Sequence, residues 1–209
     1  MGLEFQAYGT VVPSLCPTLS PLKWLHLSQR NQAKHFFLMK TLVVVGHPRL
    51  EESTVSKGWV EGLRAMNDPD LTIHCLADAC GSGMTFDVEE EKKLLREADR
   101  VILQFPLYWM SVPGVMKCWI DQVWGAGSAA GGEGTLDGKL IDLATSAGVP
   151  SEEVYGEDGL QGLFVPIISS IGYAGARFGR IFSFFSADAE DVSERLPESV
   201  EYYKQFCTE

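Results

Sequence analysis

The sequence lacks the patterns that mark several common classes of protein. Its five cysteines form no C-x-x-C pair and have no histidine at metal-ligand spacing, so neither a zinc site nor a redox-active dithiol is predicted. It contains no G-x-G-x-x-G and no G-x-x-x-x-G-K-[ST], which argues against a Rossmann site and against a P-loop. No apolar run approaches the roughly 20 residues of a membrane-spanning helix, so we expect no membrane insertion.

Basic charge is also scarce. The chain has 17 Lys and Arg against 28 Asp and Glu, a net charge of -11. Because nucleic acid phosphates would repel such a surface, we expect no nucleic acid partner. The length of 209 residues and the 45% hydrophobic content fit one globular domain with a sizeable core. Unpaired cysteines fit a reducing compartment, and we therefore expect a cytoplasmic protein.

Residues 1–38 differ from the rest in composition, with Glu4 as their only acid. Three interpretations stay open for this segment: a loosely ordered arm added by an upstream start, a weak organelle-targeting peptide, or a capping element. The first is our prediction. The domain prediction is therefore an N-terminal extension over residues 1–38 and a folded domain over residues 39–209.

From Met39 onward, short apolar runs alternate with longer segments of helical periodicity. The runs are 41–45, 71–76, 101–105, 140–145 and 181–185. This alternation predicts an α/β fold with a parallel sheet covered by helices on both faces. Five strands in this rhythm fit the flavodoxin-like strand order 2-1-3-4-5, in which ligands bind beyond the carboxyl ends of the strands. We therefore expect the functional site in the loops after Val45, Phe105 and Thr145.

Three helical segments carry further expectations. Ser53 is the predicted N-cap of a helix over 53–66, and Asp87 that of a helix over 88–98. Between the third and fourth strands, an apolar stripe that includes Trp119 and Trp124 predicts packing against the core or against a second subunit. A closing helix is predicted within residues 188–209.

The first of the three loops, residues 46–56, leads into the first helix. Backbone N–H groups at a helix N-terminus, together with hydroxyl groups, can bind a phosphate dianion without a metal. The hydroxyl side chains that suit this role are Ser53, Thr54 and Ser56, with Val55 between them. The loop therefore predicts an anion site.

The second and third loops suit a flat ring. Pro106 stiffens the second loop, and its aromatic side chains can form the walls of a ring site. The residues concerned are Pro106, Leu107, Tyr108, Trp109 and Met110. In the third loop, small residues allow close approach of the backbone to a ligand; these are Thr145, Ser146, Ala147 and Gly148.

These motifs resemble those of one family. The segment 104–109, Val112-Pro113, Lys117, Trp119 and 121–124 are similar to the signature of the NAD(P)H:quinone oxidoreductases, which include DT-diaphorase, modulator of drug activity B and the Kef-type ancillary flavoproteins. His47-Pro48 and residues 145–148 match in order and approximate spacing. The resemblance extends over roughly residues 40–185.

The resemblance implies a flavin, FAD or FMN, in these loops. His47 and residues 53–56 would hold its phosphate and ribityl side, and residues 106–110 and 145–148 its isoalloxazine ring. NAD(P)H would donate hydride, and a quinone or a similar small acceptor would receive it. The family also implies a homodimer, for which Trp109, Trp119 and Trp124 offer apolar surface.

Two residues would line the substrate side by the same resemblance. Tyr155 matches a family tyrosine, but Gln161 stands where the family has a histidine. Glutamine forms hydrogen bonds and cannot supply a proton as imidazolium does. We predict Tyr155 and Gln161 as catalytic residues, with the proton-relay role of position 161 in question.

Two other functions stay open. The chain could be a flavin-binding ancillary or regulatory subunit of a potassium efflux transporter, to which the same resemblance extends. It could also be a one-electron flavodoxin carrier, which the acidic charge suits, although the second loop favours the oxidoreductases. No metal site is predicted.

Overall fold

The computed structural model describes residues 39–124 and 134–209. The N-terminal extension predicted for residues 1–38 lies outside these ranges. Within them, no helix is long and apolar enough to cross a membrane.

Strands and helices alternate along the chain, as the hydrophobic periodicity predicts. The strands are β1 (Thr41–Val45), β2 (Leu71–Cys75), β3 (Arg100–Pro106), β4 (Leu140–Ser146) and β5 (Arg177–Phe184). The helices are α1 (Val55–Met66), α2 (Leu76–Ala79), α3 (Val88–Glu97), α4 (Gly114–Val123), α5 (Gly159–Leu163), α6 (Val165–Tyr173) and α7 (Val192–Thr208). Short 3-10 helices occur at Leu50–Glu52 and Glu152–Tyr155.

The five strands form one parallel sheet in the order β2-β1-β3-β4-β5, which confirms the predicted fold. Strand β1 lies between β2 and β3, so that Val43 pairs with both Ile73 and Ile102. The chain order reverses between β1 and β3. The carboxyl ends of these two strands therefore flank the crevice in which such folds bind ligands.

Two hydrophobic clusters cover the two faces of the sheet. One contains Trp119 and the rest of the α4 stripe, and the other contains Trp59 of α1 and Tyr203 of α7. Trp119 is fully buried and Trp124 is 8% exposed, so the core interpretation of the stripe is confirmed. The expectation that these two tryptophans offer surface to a second subunit is wrong, because both pack inside the protomer.

Strand β5 begins at Arg177, four residues before the start predicted from its apolar run. Its first half contains Arg177, Gly179 and Arg180, a composition that is not typical of a buried strand. The structure explains this composition, because among the described residues β5 pairs only with β4, and most of its first half is solvent-exposed. An edge strand tolerates polar residues that a central parallel strand does not.

A buried ion pair attaches the C-terminal helix to the sheet. Nε of Arg100 on β3 donates to Oδ2 of Asp142 on β4 at 2.6 Å, and both side chains are at most 1% exposed. The same guanidinium donates to the carbonyl oxygens of Phe206 and Cys207 at the end of α7. The closing helix predicted for residues 188–209 is confirmed over Val192–Thr208.

Candidate functional site

A cleft of about 280 Å³ opens at the carboxyl edge of the sheet. All three predicted loops line it. The first contributes His47, Ser53, Thr54 and Val55, the second Pro106, Leu107 and Tyr108, and the third Ser146 and Gly148. The structure thus brings together nine of the predicted cofactor-binding residues from three separate strand ends.

One end of the cleft is the N-terminus of α1. The Oγ of Ser53 accepts a hydrogen bond from the Ser56 N–H at 3.1 Å, so Ser53 caps the helix as predicted, although regular helix begins at Val55. The N–H groups of Thr54 and Val55 have no hydrogen-bond partner within residues 39–124 and 134–209. Unpaired donors at a helix N-terminus attract an anion.

His47 lies buried beside this helix end. Its Nδ1 accepts a hydrogen bond from the Arg49 N–H at 3.1 Å, which assigns the proton of the neutral ring to Nε2. Burial, and next the positive charge of Arg49, lower the pKa of His47 from its ordinary value of 6.5. The Arg49 side chain is mostly exposed and pairs with Glu52 at 3.0 Å.

The other end of the cleft is formed by the second loop against the third. The Leu107 N–H donates to the Ser146 carbonyl at 2.8 Å, which holds the two loops side by side. Pro106 pairs with Ser146 in the sheet and is itself buried. Tyr108 is 42% exposed, so its ring is available to a ligand at the mouth.

Trp109 and Met110 do not line the cleft. The N–H and carbonyl groups of Tyr108 and Ser111 hydrogen-bond to each other at 3.0 Å and close a tight turn around these two residues. Both central residues have positive φ, 48° for Trp109 and 63° for Met110, as in a type I′ turn. The turn projects Trp109 into solvent, where its side chain is 98% exposed.

Three further predicted residues lie behind the cleft surface. Ser56 is 1% exposed, Thr145 is fully buried and Ala147 is 4% exposed. The hydroxyl groups of Ser56 and Thr145 have no hydrogen-bond partner among the described residues. The side chains of these three residues therefore do not contribute to the surface of the cleft.

A fourth segment, after β5, also lines the cleft and was missed from sequence. Ala187 and Asp188 line it, and the Ala187 N–H donates to the Ala147 carbonyl at 3.0 Å. A Cβ at Gly148 would lie 2.5 Å from Oδ2 of Asp188, so the two residues are in tight contact. The sequence signal that could have identified it is its position just after the last strand, at the same edge of the sheet as the other three loops.

The two predicted catalytic residues lie elsewhere. Gln161 lines a separate cavity of about 700 Å³ along β5, together with Glu152, Asp158 and Arg180. Tyr155 is partly buried against the hydrophobic core, and burial raises its pKa above the ordinary value of 10.0. Neither residue lines the cleft at the carboxyl edge.

Comparison with known proteins identifies the class. Residues 39–207 match the model of a family described as having the flavodoxin-like fold. The chain therefore belongs to this family of flavodoxin-like proteins, in agreement with its sheet order.

Three individual relatives show which members of the family this chain resembles. The uncharacterised NAD(P)H oxidoreductase YrkL of Bacillus subtilis is 38% identical over 177 residues, which cover 79% of this chain and 98% of that protein. General stress protein 14 of Treponema denticola was solved in complex with FMN and has a TM-score of 0.71 at 31% identity. The match covers 80% of this chain and 97% of that chain. An NADPH-quinone reductase from P. pentosaceus has a TM-score of 0.66 at 26% identity over 81% and 98% of the two chains. The predicted resemblance to NAD(P)H:quinone oxidoreductases is confirmed.

Proposed function

We propose that this protein is a flavin-dependent NAD(P)H:quinone oxidoreductase that holds FMN in the cleft at the carboxyl edge of the sheet. The convergence of three predicted loops on one cleft carries the proposal. The relatives support it, because one is named as an NAD(P)H oxidoreductase, one as a quinone reductase, and one was solved with FMN. Bound FMN would accept hydride from NAD(P)H and deliver it to a quinone.

The residues of the first loop fit the phosphate of FMN. The free N–H groups of Thr54 and Val55 and the Nε2–H of His47 are donors, and an N-terminal helix dipole favours the anion. Ser53 and Thr54 add hydroxyl groups to the same wall. Neutral His47 binds by hydrogen bonding, so phosphate binding at this residue needs no protonation of the ring.

The second and third loops fit the ring. Leu107 and Tyr108 offer an apolar surface and an aromatic face, and Gly148 allows the backbone to approach closely. We assign Trp109 and Met110 to the mouth of the site, where they can contact the ring or the acceptor from the exposed turn. The orientation of the ring and the exclusion of water are the contributions of these residues.

The support for Tyr155 and Gln161 as substrate-side residues is the family resemblance alone, since neither lines the cleft. In this proposal Tyr155 donates a hydrogen bond through a hydroxyl that stays protonated at neutral pH. Gln161 provides a hydrogen bond without a proton transfer.

The proposed assembly is a homodimer located in the cytoplasm. Helix α6 contains no charged residue and exposes Val165 and Tyr173, which are 55% and 78% exposed. An uncharged helix surface that exposes two large apolar side chains fits a protein interface. Within the part of the chain that the structure describes, the cysteines at positions 75, 80, 118 and 207 are free, which fits a reducing compartment.

The test begins with purified protein from which any bound flavin is released and identified. FMN-loaded protein is then mixed with NADH or NADPH, with and without a soluble quinone. Quinone-dependent oxidation of the nicotinamide supports the proposal. Bound flavin without turnover would favour the ancillary-subunit function, and failure to bind flavin after reconstitution would exclude both.

A further inference from the structure

Gln104 joins both ends of the first loop to strand β3. Its backbone carbonyl accepts a hydrogen bond from the Gly46 N–H at 2.8 Å, where the loop leaves β1. Its side-chain Nε2 donates to the Ser56 carbonyl at 3.1 Å, in the first turn of α1. Gln104 is fully buried, so these bonds do not compete with water. Gln104 thus fixes both ends of the first loop, which contains His47 and the N-terminus of α1.

Tyr203 of helix α7 fixes the orientation of the Gln104 amide. The Ser56 carbonyl can only accept, so it must face Nε2, and this leaves Oε1 facing the Tyr203 hydroxyl. The hydroxyl donates to Oε1 at 2.9 Å. Tyr203 is fully buried, and burial raises its pKa well above the ordinary value of 10.0. Its hydroxyl therefore keeps the proton it donates.

We propose that Tyr203 and Gln104 are positioning residues for the cofactor phosphate, acting through a relay of hydrogen bonds from α7 to the first turn of α1. The inference rests on the proposed function, since it names residues that act on the FMN site without touching it. Gln104 and Tyr203 are 99 residues apart in sequence. The relay makes docking of the C-terminal helix a condition for tight cofactor binding.

The relay has a clear physical consequence. Removing the Tyr203 hydroxyl leaves Oε1 of Gln104 buried without a donor, and a buried unpaired acceptor is costly. The amide is then free to change its rotamer, and the Ser56 carbonyl loses its side-chain donor and keeps only its helical hydrogen bond. The first turn of α1 becomes less ordered, so its N–H groups must be ordered again when the phosphate binds. The loss therefore weakens FMN binding.

A direct hydrogen bond between α1 and α7, which does not pass through Gln104, provides the matched control. Trp59 Nε1 in α1 donates to Ser199 Oγ in α7 at 3.1 Å, and this bond is also buried. Ser199→Ala removes one buried hydroxyl and leaves one buried partner unpaired, as Tyr203→Phe does. It leaves the Gln104 amide and the first loop unchanged.

The experiment compares wild type, Tyr203→Phe, Gln104→Met and Ser199→Ala in the full chain. FMN affinity is measured by quenching of flavin fluorescence, and hydrogen exchange is measured by mass spectrometry on the peptide that covers the first turn of α1 in the apoprotein. We expect Tyr203→Phe and Gln104→Met to weaken FMN binding by about tenfold and to speed exchange in this peptide. We expect Ser199→Ala to change neither.

Two results would overturn the inference: wild-type affinity and exchange in Tyr203→Phe and Gln104→Met, or equal losses in Ser199→Ala. If wild type itself fails to bind FMN, the proposed function fails, and the exchange measurement still decides whether the relay orders the first turn. If either Tyr203→Phe or Gln104→Met does not fold, the other variant still tests the inference.

Discussion

The backbone N–H of Arg49 donates a hydrogen bond to Nδ1 of His47 at 3.1 Å, in the loop that precedes the first helix. This bond determines which tautomer the neutral imidazole adopts, and it directs the Nε2–H donor to the opposite side of the ring. Burial lowers the pKa of His47, so the ring stays neutral at physiological pH. The loop therefore presents a neutral donor at the cleft.

The lowered pKa of His47 predicts the pH dependence of stability. Between the lowered pKa and 6.5, the unfolded chain binds the proton more readily than the folded protein does. The contribution of neutral His47 to stability is therefore present above pH 6.5 and is lost as the pH falls through this window. Urea unfolding of wild type and His47→Gln over a pH series measures it, and an identical slope in both proteins would refute the prediction.

The contact between Gly148 and Asp188 predicts a compensating pair of substitutions. In Gly148→Ala, the new Cβ meets the Asp188 carboxylate at 2.5 Å unless one of them moves. Because both residues line the cleft, we expect FMN binding to weaken by about tenfold.

The double variant Gly148→Ala, Asp188→Ala should recover most of this loss, and Asp188→Ala alone is the control. Titration with FMN gives all three affinities. If the double variant binds no better than Gly148→Ala, the contact is not the cause of the defect.

The buried Arg100–Asp142 pair predicts a large change in stability. Arg100→Met leaves the Asp142 carboxylate buried without its partner and removes two hydrogen bonds to the end of α7. We expect a loss of about 3 to 5 kcal/mol in the free energy of unfolding. Arg96, with a side chain 56% exposed, serves as the control, since Arg96→Met should change stability by less than about 0.5 kcal/mol. Equal effects in urea unfolding would contradict this account of the pair.

The turn at Trp109 and Met110 predicts that glycine stabilises the protein more than alanine does at position 110. In the interior of a helix or strand, alanine is more favourable than glycine by about 0.5 to 1 kcal/mol. At Met110, where φ is 63°, glycine avoids the steric cost of a Cβ. We expect Met110→Gly to be more stable than Met110→Ala by about 0.5 kcal/mol. Thermal unfolding of the two variants measures the difference, and the ordinary order would argue against the turn.

The sequence predicted the sheet order and the three loops because central parallel strands are continuous apolar runs, and their loops contain turn residues. Strand β5 was placed four residues late because Arg177 and Arg180 interrupt its pattern, and an edge strand permits such residues. Asp188 was missed for a different reason, because the closing helix was predicted to begin there and begins at Val192 in the structure. The cleft lies at the carboxyl edge of the sheet, as the strand order predicts, although the start of β5 was misplaced.

Other features of the site depend on tertiary structure. Aromatic residues after a strand predicted a ring site, but the positive φ of Trp109 turns its side chain to solvent, which no local pattern indicates for a non-glycine residue. The bond between Tyr203 and Gln104 joins segments that only the folded chain brings together.

The proposed function is tested most directly by anaerobic titration of the FMN-loaded protein, followed by its visible absorbance. We predict that one equivalent of NADH or NADPH bleaches the flavin absorbance, and that one equivalent of a soluble quinone restores it. Flavin that stays oxidised with both nicotinamides, or that is reduced and does not respond to the quinone, would contradict the assignment of this protein as an NAD(P)H:quinone oxidoreductase.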